Sequence, residues 1–313
     1  MRKPTAPPRR LYKYRAFNAN TLRLLSQAEI YYANPAHFND PMDCRPVIEV
    51  DTDLKTLEKV CYRLLVLSRG KDAANACIQN HRYMSTEYGD YKTDPDAARS
   101  YTEDLRREIS KFVDAEMRKH GVLSLAKRWN CPLMWSHYAD EHRGLCIEYD
   151  TKDNQCEGLR CVNYDVSGSI KVSDILRWKI EKSKEADRSI REAFFYAKAR
   201  DWRYEREWRD VRKEIGTRES TFRSISAVYF GLRCDTAVST SVVMLFGNSA
   251  SPIKFFRLYR DEDSFQLRRF LIDVDEIRAC GLRTPVSWEF ENLEDPTGHS
   301  AVTEMPKPEV QQK

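Results

Sequence analysis

Two glutamates that are two positions apart, Glu205 and Glu207, lie in residues 204–209 (YEREWR), among aromatic and cationic side chains. If the segment is a strand, both acids and Arg209 project from one face, because side chains alternate along a strand. One acid can then stabilise developing positive charge while the other activates a nucleophile, provided that their environments separate their pKa values. If the segment is a helix, Glu205 pairs with Arg209 at i,i+4 and the charges form a solvated face.

A second set of acids lies in residues 38–43 (FNDPMD), where Asp40 and Asp43 occupy a turn beside an amide. Together with Glu148 or Asp150 they could ligate a divalent cation through carboxylate oxygens. A turn held by its own Asx side chains accounts for the same residues without a metal. Both interpretations follow from the sequence.

The spacing of cysteine and histidine gives no zinc motif. The nine cysteines are an odd number, are dispersed along the chain and include no Cys-x-x-Cys pair. This pattern predicts reduced core thiols rather than a disulfide framework or a zinc site. His137 and His142 are separated by five positions, so a helix does not align them on one face. No metal is therefore expected.

Composition describes a soluble globular chain. Of the 313 residues, 41% are hydrophobic and 32% are charged, which is enough for a sizeable core. No apolar run approaches the ~20 residues of a membrane span, and the N-terminus lacks the apolar centre of a signal peptide. A cytoplasmic location without membrane contact is therefore expected. The net charge of +4, from 52 basic and 48 acidic residues, permits a nucleic-acid partner without requiring one.

The elements that must position these groups follow from the apolar periodicity. Helical spacing predicts a short helix at 21–26, a helical insertion at about 52–120 and a second helical block at about 173–200. Alternating or continuous apolar runs predict strands at 11–17, 29–32, 121–125, 144–149, 160–165, 226–231, 242–246 and 253–259. The run at 242–246 could equally end a helix.

These elements predict an α+β protein with a mixed, mostly antiparallel twisted core sheet. Residues 1–10 are expected to form a mobile basic arm, and residues 11–283 a single α/β domain that carries the helical insertion. Residues 284–313 turn to Pro, Glu, Thr and Gln, a composition that predicts a disordered tail.

Short motifs occur in a characteristic order along the chain: 11–15 (LYKYR), 38–43 (FNDPMD), 123–125 (LSL), 134–139 (MWSHYA) with 144–147 (GLCI), 202–209 (WRYEREWR) and 228–231 (VYFG). In this order they resemble a widespread bacterial family of unknown function, the domain-of-unknown-function family numbered two-nine-seven-one. The resemblance covers roughly residues 11–275. It indicates a family and assigns no activity.

A more distant resemblance is to ADP-ribosyltransferases of the Arg-Ser-Glu class. That class carries an arginine on its first strand, a serine on a middle strand and a Glu-x-Glu near the end. Arg15, Ser124 and the pair Glu205 and Glu207 match this order. The resemblance implies an ADP-ribosyltransferase-like fold in which Arg15 binds a dinucleotide phosphate. Glu207 would stabilise an oxocarbenium-like state as nicotinamide leaves, and Glu205 would prepare the acceptor.

The same resemblance implies that NAD is the substrate and that Arg15, Ser124 and Glu207 converge on one cleft. Tyr12, Tyr14, Trp135 and Tyr138 are then candidates for stacking on nicotinamide or adenine. The predicted function is transfer of ADP-ribose to a macromolecular acceptor, a protein or a nucleic acid. A toxin-like or anti-phage setting is implied by the resemblance alone.

Two alternatives stay open at this point. A metal-dependent nuclease or phosphodiesterase would use Asp40, Asp43, Glu148 and Glu207 as ligands. A non-catalytic sensor or adaptor would bind a nucleotide or a partner protein, through the helical insertion or the basic arm.

Overall fold

The computed structural model describes residues 6–152, 158–220, 225–246 and 253–280. The predicted tail over 284–313 and the first half of the predicted arm lie outside the described residues. Within them, Arg10 already begins the first strand. Thr151 donates hydrogen bonds to the carbonyl oxygens of Pro8 and Arg9, at 2.6 and 2.8 Å. The last part of the predicted arm is therefore attached to the sheet.

Twelve strands occur in the described ranges, and each is named in chain order. They are β1 (Arg10–Arg15), β2 (Glu29–Tyr32), β3 (Val47–Glu49), β4 (Gly121–Ala126), β5 (Leu145–Asp150), β6 (Arg160–Cys161), β7 (Ser169–Lys171), β8 (Glu207–Arg212), β9 (Gly216–Glu219), β10 (Ile225–Phe230), β11 (Lys254–Arg260) and β12 (Leu267–Leu271).

The helices of the same ranges are α1 (Ala19–Ser26), α2 (Leu54–Arg69), α3 (Lys71–Ser85), α4 (Pro95–Met117), α5 (Pro132–Tyr138), α6 (Val172–Lys179), α7 (Lys184–Phe195), α8 (Thr236–Leu245) and α9 (Val274–Cys280). Short 3-10 helices cover Pro35–His37, Thr86–Tyr88 and Arg200–Glu205. None of the helices in the described part of the chain combines the length and apolarity that a bilayer crossing requires.

Eight strands form one open sheet in the order β12-β11-β10-β5-β1-β4-β8-β6. Only β10 and β11 are parallel within this sheet as described, and the other neighbours are antiparallel. The prediction of an α+β fold with a mostly antiparallel sheet is confirmed. Two small sheets, β2 with β9 and β3 with β7, flank it.

The large sheet opens between β1 and β4. β1 pairs with β5 along its whole length, from Arg10 to Arg15. With β4 it pairs only where Tyr12 meets Ala126. Beyond that pair the two strands separate, and the space between them is available to side chains from both. This opening lies beside Glu207, the first residue of β8, because β8 is the next strand after β4.

The helical insertion predicted at about 52–120 contains α2, α3 and α4. Asp53 caps α2 by accepting a hydrogen bond from the Thr56 backbone at 2.9 Å. Gly70 ends that helix with φ of 85°, a conformation that glycine adopts without strain. The facing apolar stripes of α2 and α4 form a core that includes the buried Leu57, Leu64, Leu105 and Ile109. The same cluster includes Ile175 of α6 and Ile190 of α7, so the insertion packs against the second helical block.

Two predicted elements differ in the structure. Residues 242–246 lie almost entirely in α8 rather than in a strand, as the alternative interpretation of that run allowed. The strand predicted at 160–165 is only the two residues of β6. In both places a short apolar run did not determine the backbone conformation, because period-two and helical patterns overlap over so few residues.

Candidate active site

A cavity of about 210 Å³ occupies the opening between β1 and β4. Its walls come from these two strands, the loop of residues 37–43, α5 and the start of β8. Aromatic rings and aliphatic side chains form part of the lining, and a group of ionisable side chains forms the rest. A concave site with a few convergent polar groups is the usual form of a ligand or active site.

The glutamate segment is neither a continuous strand nor a helix. Glu205 ends the 3-10 helix Arg200–Glu205, and Arg206 takes a left-handed conformation with φ of 46°. β8 then begins at Glu207. This break turns Glu205 and Glu207 toward the same cavity, where they are only 3% and 5% exposed. Within β8, Trp208 faces the opposite side of the sheet and packs in an apolar cluster.

Arg209 anchors the charged wall of the cavity. Its guanidinium is fully buried and donates two hydrogen bonds to Asp43, at 2.9 and 2.5 Å. It donates two more to Glu207, at 2.8 and 2.9 Å, and one to the Phe195 carbonyl at 2.8 Å. All of its donors are therefore occupied, as a buried arginine requires. Glu205 instead accepts hydrogen bonds from Lys198 and Tyr138, so the i,i+4 pair with Arg209 that the helix alternative required does not form.

Lys198 connects three acids. Its ammonium nitrogen lies 2.5 Å from Glu205, 3.1 Å from Glu207 and 3.2 Å from Asp43. The hydroxyl of Tyr138 donates a hydrogen bond of 2.7 Å to the other oxygen of Glu205. Three buried carboxylates thus share the two cations Lys198 and Arg209. Such an arrangement leaves one acid less well neutralised than the others.

The two glutamates have pKa values displaced in opposite directions. Burial raises the pKa of Glu205, and the nearby charge of Glu207 raises it further, against the opposing effect of Lys198. Burial would also raise the pKa of Glu207, but Arg209 and Lys198 lower it overall, with a hydrogen bond from Ser124. Glu207 therefore stays a carboxylate, whereas Glu205 takes up a proton more readily than Glu207 does.

Lys13 contributes a further cation at the opening. Its ammonium donates a hydrogen bond of 2.8 Å to the carbonyl oxygen of Ser124. Burial lowers the pKa of Lys13 to about 8, and the charge of Arg15 acts in the same direction. Lys13 reaches the cavity although it lies on the opposite face of β1 from Tyr12 and Tyr14, because β1 and β4 separate there.

Six of the predicted site residues line the cavity: Tyr12, Tyr14, Ser124, Tyr138, Glu205 and Glu207. Arg15 and Trp135 are not among its lining residues. Trp135 is fully buried, donates its indole N–H to the Trp129 carbonyl at 2.6 Å and packs edge-on against Tyr14. The structure thus brings Ser124 and Glu207 together and places Arg15 elsewhere.

Arg15 is the last residue of β1 and lies outside the cavity lining. The pleat of β1 does not account for this position, because Lys13 lies on the same face of the strand as Arg15 and lines the cavity. The charged groups of Arg15 lie near Tyr149 and Tyr31 rather than near the glutamates. Burial lowers the pKa of Arg15 from its ordinary value, and the group stays charged at physiological pH.

Of the acids proposed as metal ligands, Asp40, Asp43 and Glu207 line the cavity and Glu148 does not. Asp40 accepts a hydrogen bond of 2.8 Å from the backbone of Met42, as the Asx-turn interpretation expects. Asp43 instead pairs with Arg209. Glu148 lies in a separate group, where it accepts hydrogen bonds from Ser226 and Tyr229. The nuclease alternative therefore lacks a common metal position for these carboxylates.

Lys198 is the functional candidate that the sequence interpretation missed. It lies between Ala197 and Ala199, after an aromatic run of residues 194–196 (FFY). A lysine within such an apolar stretch is a weak signal of burial. Its partners lie on three separate elements, the loop before β3, the 3-10 helix and β8. The periodicity of one element does not indicate a contact with another element.

Comparison with known proteins identifies a family model but no characterised relative. The model described as "Protein of unknown function (DUF2971)" matches residues 134–209. This match supports the predicted domain-of-unknown-function family. The matched segment contains Tyr138, Lys198, Glu205, Glu207 and Arg209, which form most of the charged wall. No curated protein and no solved structure matches the chain, and the ADP-ribosyltransferase resemblance finds no support in these comparisons.

Proposed function

We propose that the cavity is the active site of an ADP-ribosyltransferase-like enzyme that uses NAD as its substrate. The observation that carries the proposal is the pairing of Glu205 with Glu207 on one cavity wall, with pKa values displaced in opposite directions. Two acids separated in this way can perform two different tasks in one reaction. The order of Ser124 before the two glutamates in the chain adds to this support.

In the proposed reaction, the bond between the ribose C1′ and the nicotinamide nitrogen breaks. Nicotinamide leaves as a neutral molecule with the bonding electron pair, and the ribose becomes an oxocarbenium cation. Glu207, held as a carboxylate by Arg209 and Lys198, stabilises this positive charge. The acceptor nucleophile then attacks C1′ and passes its proton to the carboxylate of Glu205.

The size of the cavity suits one end of the dinucleotide. At about 210 Å³ it is smaller than the roughly 300–1,000 Å³ of pockets that enclose a drug-sized ligand. It would take the nicotinamide and its ribose, with Tyr12, Tyr14 and Tyr138 beside the rings. The rest of the dinucleotide, and a protein or nucleic-acid acceptor, would lie outside. The toxin-like or anti-phage role is part of the same proposal.

The decisive experiment measures nicotinamide release and labelling. Purified protein is incubated with NAD alone, and with labelled NAD plus a bacterial lysate, each with and without EDTA. We expect nicotinamide release or a labelled macromolecule, at equal rates in both conditions, since no step uses a metal. Absence of both products would overturn the proposal. Cleavage of DNA or RNA that EDTA abolishes would instead support the nuclease alternative.

A cellular assay separates this enzyme from an adaptor. In a host in which the protein has a growth or defence phenotype, Glu207→Gln should abolish the effect at equal protein level. A binding module would keep its effect in this variant and lose it when the exposed face of α3 is changed.

A further inference from the structure

A second group of reactive side chains lies in the helical insertion, away from the cavity. Cys77 and His81 are four residues apart on α3 and therefore share one helix face. Glu108 reaches them from α4. One ligand atom from each of the three residues lies within 4.8 Å of the other two. The set offers a sulfur, an imidazole nitrogen and a carboxylate oxygen.

His81 supplies an independent indication of a bound ligand. Its Nδ1 lies 3.6 Å from the carboxylate of Asp104, on α4. Its Nε2 is buried and has no hydrogen-bond partner among the described residues. Buried polar atoms are nearly always satisfied, so an orphan such as this one requires an explanation. A histidine that contacts a carboxylate through one nitrogen and a metal through the other is a frequent arrangement.

We propose that Cys77, His81 and Glu108 bind a zinc ion that joins α3 to α4. Thiolate, imidazole and carboxylate are the three ligand types that zinc accepts, and a fourth tetrahedral position is left for water. Ligand atoms around one zinc lie about 3.3–3.8 Å apart. The three ligand atoms lie within 4.8 Å of one another. Side-chain rotations that move these atoms by about 1 Å bring them to the zinc-binding distance.

Two surface cations now occupy the position next to Glu108. Arg69 lies 3.1 Å and Lys111 2.6 Å from its two carboxylate oxygens. Their side chains are 48% and 58% exposed, so both can turn toward solvent at little cost. Zinc would replace them as the counter-charge of Glu108 and of the Cys77 thiolate. This exchange leaves the site electrically neutral.

The sequence contains a cysteine–histidine spacing that is compatible with a shared metal. The absence of Cys-x-x-Cys pairs predicted no metal, whereas Cys77 and His81 form a Cys-x-x-x-His pair on one helix. The third ligand comes from a different helix, so its contribution depends on how α3 packs against α4.

The test uses the full chain, stripped of metal with a chelator and then titrated with zinc. We expect about one zinc per chain, a higher midpoint of thermal unfolding with zinc, and a thiolate-to-metal absorption band when cobalt(II) replaces zinc. Cys77→Ser and His81→Gln should each weaken zinc binding by more than about 100-fold. Cys161→Ser, which changes an exposed cysteine on β6, is the matched control and should bind as the parent does.

Asp104→Asn keeps the three ligands and should weaken zinc binding by about 10–100-fold, as loss of a carboxylate behind a ligating histidine does. This variant keeps the test valid if a ligand variant fails to fold. The proposal is overturned if the parent protein takes up no zinc at micromolar concentration. It is equally overturned if all of the variants bind zinc as tightly as the parent.

Discussion

Two buried glutamates of the same sheet, Glu148 on β5 and Glu207 on β8, are stabilised in different ways. Glu148 accepts hydrogen bonds of 2.7 and 2.6 Å from the hydroxyls of Ser226 and Tyr229, and its one described ion pair is with the half-exposed Arg10 at 3.3 Å. Glu207 is held by the buried cations Arg209 and Lys198. Only Glu207 lines the cavity.

Burial of a single carboxylate for a structural role requires few partners. Hydroxyl donors and one surface arginine are enough to bury a single acid such as Glu148. The group around Glu207 adds two more carboxylates, Asp43 and Glu205, and each costs desolvation free energy that an ion pair only partly returns. A fold gains little from three acids in one place. The excess of carboxylate on a cavity wall therefore favours a chemical role for the Glu207 group.

The largest expected effect is on stability, from Arg209→Met. Removing this buried cation leaves Asp43 and Glu207 with Lys198 alone, and a broken buried ion pair typically costs about 3–5 kcal/mol. Urea unfolding followed by circular dichroism would measure the loss. The equivalent change beside Glu148, Arg10→Met, removes a side chain that is 52% exposed and should cost less than about 1 kcal/mol. Equal losses of unfolding free energy in Arg209→Met and Arg10→Met would show that the cations beside Glu207 and Glu148 contribute equally to stability.

The next effect is on catalysis, from the matched pair Glu207→Gln and Glu148→Gln. In the proposed reaction Glu207→Gln removes the charge that would stabilise the oxocarbenium, so nicotinamide release should fall by roughly 100-fold or more. Glu148→Gln lies outside the cavity lining and should leave the rate within about threefold, while lowering stability by about 1–3 kcal/mol. If both variants lose only stability, the Glu207 group is a structural ion cluster.

A smaller and more selective effect is expected from Glu205→Gln. Its proposed task is to accept the proton of the acceptor, so this variant should lose transfer to a macromolecule more than simple NAD hydrolysis. The measurement is the ratio of labelled acceptor to released nicotinamide in parent and variant. Tyr138→Phe removes the hydrogen bond to Glu205 and should change the same ratio in the same direction. A ratio that neither substitution changes would argue against this role for Glu205.

Secondary structure was predictable from the sequence where the apolar pattern of an element extended over enough residues. The strands β1, β4, β5 and β11 were recognisable because alternating aromatic and branched residues extend over several positions. Residues 242–246 were ambiguous because five apolar residues fit a strand or a buried helix. The cap of α8 was the better signal there, since Asp235 accepts a hydrogen bond of 2.7 Å from the Ala237 backbone.

The site was predictable only where a local rule applied. The spacing of Glu205 and Glu207 indicated two acids on one wall, and the chain order suggested Ser124. The same period-two rule did not determine the position of Arg15, because Lys13 lies on the same face of β1 and lines the cavity whereas Arg15 does not. Asp43 was grouped with Glu207 only in the nuclease alternative, and its contact with Arg209 joins distant parts of the chain. Lys198 was missed although it lies nine positions before Glu207.

The last prediction concerns Lys13, whose amine contacts the Ser124 carbonyl rather than a carboxylate. Burial lowers its pKa in the folded protein to about 8, while an unfolded lysine keeps its proton up to about pH 10.4. Between these two values the unfolded state binds more protons, so stability should rise with pH, by at most about 1.4 kcal/mol per pH unit. Below about pH 8 both states are protonated and this contribution to the slope vanishes. Urea unfolding of the parent and of Lys13→Met at several pH values measures the difference between their slopes. A parent slope no steeper than that of Lys13→Met above pH ~8 would show that the opening between β1 and β4 solvates this lysine fully, and that the cavity wall there is wetter than the wall around Glu207.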